Sequence, residues 1–204
     1  MRASGSRTID TRSAAGLAAL AAGALWIAAW IHLLLAHGTT TVNERNIVLG
    51  LTWLDSGKLI GPSVILAAVA VWMVAASSGS HALRRVAAMA VAAMAVAALG
   101  AFVGFWSQPF GTYAGASRDV GAGALGGGIV FVGSALMAAS LIAFAAVAAR
   151  TRALPVWLAT IVGLGALLAV PWLYESFQGV VFGIAMLVLG VEQLRSTALG
   201  AARA

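Results

Sequence analysis

Four side chains in this 204-residue chain could do chemistry if the fold brings them together: His32, Asp55, Lys58 and Glu175. Imidazole, carboxylate and ammonium together can hold a small polar solute, pass a proton or, with suitable spacing, ligate a metal. His32 sits in "WIAAWIHLLLAHG", residues 26–38, an apolar run. On a helix it shares a face with Ala18, Ala21, Ala22, Ala28, Ala29 and Ala36, while Leu17, Leu20, Ile27, Ile31 and Leu34 lie opposite. The small face is expected to meet other helices and the bulky face lipid, so His32 points inward. Its partners have to come from similar depth: Asp55, Lys58, Glu175 or Gln178. The pattern predicts a polar pocket of His32, Asp55, Lys58 and Glu175, roofed by a loop carrying Glu44, Arg45, Arg118 and Asp119. The structural alternative is a neutral His32 bonded to a carbonyl or a serine.

A metal site is not expected. His32 and His37 are five residues apart, about 140° round a helix, so they cannot chelate from one face as an i, i+4 pair does. Bis-histidine haem is not expected either, because His81 falls in an inner connector, far from the depth of His32. With no cysteine there are no thiolate ligands and no disulfides. No cofactor is implied.

Other motifs yield less. "GAGALG", Gly121–Gly126, satisfies G-x-G-x-x-G but lacks the preceding strand and the later acidic residue of a dinucleotide site, so nucleotide binding is not expected. Its glycines read instead as a place of close helix approach or a locally unwound turn. "GAFVG" with Gly100 and Gly104, and "GVVFG" with Gly179 and Gly183, are small-xxx-small packing motifs, and Gly190 extends the second stripe. That stripe is expected to pack internally, against the preceding span, or to serve a homo-oligomer or membrane partner. Ser134 and Ser140 read as hydroxyls bonded to their own helix. Glu192 and Arg195, at i and i+3, read as a solvated ion pair. No hydrolase constellation is present, and the single lysine, Lys58, lies at a span boundary where no retinal Schiff base is expected.

The elements that position these groups follow from composition. The chain is 62% hydrophobic and 9% charged, with a mean hydropathy of +1.00, whereas soluble domains carry roughly a quarter charged residues. A soluble globule is excluded. Long apolar runs give six spans: about 14–36, 57–77, 86–106, 123–149, 154–171 and 176–194. They are helices, because lipid forces every backbone group to bond within the protein and no period-two pattern appears. The second span is long enough only if it starts near Ser56 or Gly57, which leaves Lys58 to snorkel at the interface and Pro62 to kink the helix.

Alternating spans put nine of the twelve basic residues, all arginines, on one side and Arg45, Lys58 and Arg118 on the other. The positive-inside rule then places both ends in the cytoplasm, residues 1–12 forming a short tail. The net charge of +6 is spread over inner connectors, where it contacts anionic lipid; no dense patch suits nucleic acid. Trp53, Trp106, Trp172, Tyr113 and Tyr174 fall at the outer boundary, and Trp72 and Trp157 at the inner one; Trp26 and Trp30 lie deeper. Residues 1–36 could be a signal peptide, but an apolar run of about 22 residues exceeds the usual signal core of about 7–15, so retention is expected. The arginine, alanine and glycine bias suggests a GC-rich genome and a bacterial plasma membrane. The expected fold is an all-α six-helix membrane bundle forming one domain over 1–204. Three function classes remain: a non-enzymatic accessory or structural component, preferred; a small-solute transporter or channel using the polar pocket; and a membrane enzyme with no catalytic group to name.

Overall fold

The computed structural model describes residues 11–37, 53–107, 120–170 and 179–201. The helices are α1 (Thr11–His37), a short α2 (Trp53–Gly57), α3 (Ile60–Ser77), α4 (His81–Ala101), α5 (Val120–Arg150), α6 (Val156–Leu168) and α7 (Gly179–Ala201), with a π-helical segment, Phe102–Trp106, continuing α4. No strand occurs among the described residues. Five stretches are long and apolar enough to cross a bilayer: Thr11–Leu33, Asp55–Ser77, His81–Trp106, Gly121–Arg150 and Gly179–Leu199. The fifth expected span is shorter than anticipated: α6 has 13 residues, a rise of about 20 Å against a hydrocarbon core of about 30 Å.

Neighbouring helices follow chain order and the ring closes on itself: α1 packs on α3, α3 on α4, α4 on α5, α5 on α6, α6 on α7, and α7 on α1. Cross-contacts give the directions. Gly16 meets Gly190 and Gly23 meets Gly183, so numbers rise on α1 as they fall on α7. Gly104 meets Gly126, Gly100 meets Val130 and Gly133 meets Ala97, so α4 and α5 are antiparallel too. Ser63 Oγ donates to the Ala22 carbonyl at 2.8 Å while His32 meets Ser56, which makes α3 antiparallel to α1. The start of α1 and the end of α7 therefore share one end of the bundle. All six described arginines, Arg12, Arg84, Arg85, Arg150, Arg152 and Arg195, lie at that end, and Lys58 lies at the other.

The core is built from alanine with a few large groups. Ala15, Ala19, Ala22, Ala67, Ala70, Ala87 and Ala90 are fully buried, and Phe144 and Phe182 are the bulkiest enclosed side chains. Without a hydrophobic drive between helices in lipid, close backbone approach through small residues supplies the van der Waals attraction. Large apolar groups instead face outward: Leu17, Leu99, Leu125 and Val156 are each more than half exposed. So much apolar exposure is stable in hydrocarbon and an aggregation hazard in water.

The glycine stripe of α7 is filled from within the chain, but by α1 and not by the preceding helix. A Cβ on Gly183 would lie 2.5 Å from Ile27, one on Gly190 2.7 Å from Leu20, and one on Gly179 2.2 Å from the Trp30 ring. Leu20 and Ile27, expected to face lipid, are thus inserted over glycines, because the missing side chains leave a trough that a branched group fills. Trp26 explains its own depth: Nε1 donates to the Gly179 carbonyl at 2.7 Å, and its ring meets Phe182 edge-on at 4.8 Å. Ser134 and Ser140 bond to carbonyls of their own helix, as expected.

Two connections are short and defined. Between α3 and α4, Gly79 takes φ +71°, the left-handed region where an L side chain is disfavoured, and Ser80 caps α4 by accepting from Leu83 N. α5 ends in a Schellman motif, with Arg152 N donating to Ala149 O and Ala153 N to Ala148 O. Its left-handed residue is Arg152, at φ 58°. A side chain there costs roughly 1–2 kcal/mol, and glycine is the usual occupant.

Candidate functional site

The end of the bundle opposite the arginines carries the polar cluster. Its frame is the junction of α2 and α3, where the chain makes two successive three-residue bonds, Lys58 N to Asp55 O and Leu59 N to Ser56 O, each 3.1 Å. The helix restarts at Ile60, so Pro62 falls in the first turn of α3, where its missing N–H removes no helical bond. The break lies upstream of the proline, not at it.

That tight turn folds Lys58 back over Asp55. Lys58 Nζ donates to Asp55 Oδ1 at 3.0 Å, and the two side chains are 3% and 1% exposed. This corrects the expectation for Lys58: it does not snorkel to the surface but is buried against a carboxylate three residues earlier. The physical reason is that a pair formed within one turn neutralises both charges with little reach from either side chain, whereas an unpaired ion in an apolar site is costly.

His32 approaches the same turn from α1. Its Nδ1 and the Ser56 hydroxyl share a hydrogen bond of 2.5 Å, so the serine alternative is the contact found. Ser56 sits between Asp55 and Gly57 in the chain, and the structure thereby brings His32, Asp55 and Lys58 to one turn. Glu175 and Gln178, along with Glu44, Arg45, Arg118 and Asp119, lie outside the described residues, as does the side chain of His37. Among the described residues no three His, Asp or Glu side chains gather at a metal-binding distance.

The cluster is sealed by the π-helical segment. A Cβ on Gly57 would fall 2.2 Å from the Phe105 ring and one on Gly61 3.2 Å from Phe102. Trp106 Nε1 donates to the Lys58 carbonyl at 3.0 Å, which satisfies a carbonyl at the helix break. A wider π turn re-phases the end of α4 so that Phe102 reaches α3 at Gly61, Phe105 reaches Gly57 at the end of α2 and Trp106 reaches the Lys58 carbonyl between them, while Gly104 still meets Gly126 on α5. Phe105 was not singled out by the sequence, Trp106 was read only as a boundary tryptophan and Ser56 only as a possible start of the second span. Ser56 carried a signal, as a hydroxyl next to the acid at the head of an apolar run; the π segment carried none.

Comparison with family models, curated proteins and solved structures found no match.

Proposed function

We propose that this chain is a multi-pass component of a bacterial plasma membrane that acts through packing, without catalysis, as an accessory or structural subunit with both ends in the cytoplasm. The carrying observation is the closure of the polar cluster: Asp55 and Lys58 satisfy each other within one buried turn, and His32 takes a serine. A buried polar group fully paired inside the chain specifies helix register and leaves less for a solute. Both small-xxx-small stripes are covered by helices of the same chain, so a partner would use one of the exposed apolar faces.

A second reading, a small-solute transporter, draws on a different observation. An ion pair and a histidine lie next to a helix break and a π-helical segment, features that recur where membrane proteins move ions or solutes. Proteoliposomes distinguish the two. Under the packing reading, vesicles carrying the protein dissipate an imposed pH gradient no faster than empty ones. A faster dissipation that disappears in Asp55→Asn would replace that reading with transport.

A further inference from the structure

A groove of about 350 Å³ lies between α5 and α6, within the range of about 300–1,000 Å³ for ligand pockets. Small residues line its floor, with Ala145 and Ala159 buried, and Ile142, Leu164 and Leu167 are its exposed rims. Gly163 opens it further. A Cβ there would meet only Ala145, at 3.7 Å, an ordinary van der Waals contact, whereas one on Gly165 would lie 2.8 Å from Ala185 on α7. Gly165 lets two helices touch, but the room left by Gly163 is taken by no neighbour, although glycine disfavours a helix.

The groove suits hydrocarbon. Thr160 supplies its one hydroxyl, and this donates to the Val156 carbonyl of its own helix at 3.0 Å, so no side-chain donor is left for a polar solute. From Val156 to Leu167 the helix rises about 16 Å, close to half of a hydrocarbon core of about 30 Å. Because α5 ends and α6 begins at the arginine-bearing end, the groove starts at that surface and stops near mid-depth.

A charge stands at its mouth. Ile142 and Ala146 line the groove, and Arg150 follows Ala146 by four residues on the same stripe of α5, where the tilt of the Cα–Cβ bond lays a side chain over the preceding turn. Arg150 is exposed, and its side chain enters no hydrogen bond or ion pair among the described residues. Neither α5 nor α6 carries an acid. The one carboxylate described at this end, Glu192 on α7, pairs with no described arginine, contrary to the expected Glu192–Arg195 pair.

We infer that the groove holds one acyl chain of an anionic phospholipid from the leaflet at the arginine-bearing end, with the lipid phosphate at Arg150. A guanidinium at the membrane surface favours such a phosphate. A helix from a second copy would have to cross about 30 Å, roughly twice the length of the groove, and would bring Arg150 no counter-charge. The inference rests on the membrane reading above; cysteine labelling of the connectors tests that reading without reference to lipid.

The test uses the full chain in detergent, stripped of lipid and titrated with long-chain phosphatidylglycerol or phosphatidylcholine, with bound lipid counted by native mass spectrometry. The first phosphatidylglycerol is expected to bind about tenfold more tightly than the first phosphatidylcholine, the usual worth of a charge-assisted bond. Arg150→Gln, at an exposed position, should abolish that preference. Gly163→Leu places a branched side chain in the open groove and should remove the saturable first site, with the thermal unfolding midpoint showing that the fold is kept. Glycerol phosphate, which has the anion without the chain, should not compete. Equal binding of the two lipids by the parent protein, a first site unchanged in both variants, or full competition by glycerol phosphate would overturn the assignment. A dimer of the parent that is lost in Gly163→Leu would overturn it in favour of a second copy.

Discussion

Gly23 on α1 and Gly183 on α7 meet backbone to backbone: a Cβ on Gly23 would lie 2.6 Å from the Gly183 carbonyl oxygen. Backbone cannot rotate away as a side chain can, so even a methyl group has to part the helices. Gly23→Ala is expected to destabilise the bundle by about 1–3 kcal/mol, the cost of overpacking a filled interface, measured by reversible unfolding in mixed micelles. Gly128→Ala is the control. Its Cβ would meet nothing within 4 Å, and the gain in helix propensity should leave stability unchanged or raise it by about 0.5–1 kcal/mol.

The Asp55–Lys58 pair should behave as a unit. Asp55→Asn or Lys58→Met alone leaves the other charge buried, and a loss of about 3–5 kcal/mol is expected for each. The double variant Asp55→Leu/Lys58→Met removes both charges and should recover most of that loss. Additive losses, read as unfolding free energies across the four proteins, would show that the two groups are not coupled.

How much of this was legible beforehand differs between the helices and the cluster. The apolar runs determine the helices, because lipid leaves the backbone no other way to pair, and the arginine spacing anticipates that Arg12, Arg84, Arg150 and Arg195 share one end. The inward face of α1 was read correctly at Ala22 and Ala29, and His32 is part-buried there, but wrongly at Ala21 and Ala28, which are exposed, and at Leu20 and Ile27, because a lipid-facing leucine and one sitting over glycine look alike until the partner helix is known. Lys58 was misplaced for a related reason. Snorkelling assumes that the helix runs straight through residue 58, whereas the three-residue turn at 55–59 folds the ammonium onto its own acid. The α1–α7 pairing could not be read from loop lengths, since it joins the two ends of the chain.

The contact between His32 and Ser56 predicts a modest, specific coupling. His32→Ala and Ser56→Ala should each cost about 1–2 kcal/mol through one lost hydrogen bond and an unsatisfied partner. Together they should cost less than the sum, by about 0.5–1.5 kcal/mol. His32→Asn, which keeps a polar atom near the position of Nδ1, should recover part of the loss. If His32→Ala leaves stability intact but abolishes a gradient dissipation seen in the parent protein, the histidine belongs to a transport path and not to packing.

The shared end of the arginines makes the threading testable one connector at a time. The chain has no cysteine, so single cysteines can be introduced on an otherwise silent background. Ser80→Cys, at the cap between α3 and α4, and Thr197→Cys, near the end of α7, sit at the end that carries Arg84 and Arg195. In intact cells both should resist a membrane-impermeant maleimide and react only after permeabilisation, because arginine-rich connectors are retained on the cytoplasmic side. Thr112→Cys, in the connector between α4 and α5, should react without permeabilisation. Antiparallel α1 and α7 require positions 80 and 197 to share one side, so opposite labelling of those two would contradict the bundle itself. The same side for both, but facing outward, would contradict only its orientation.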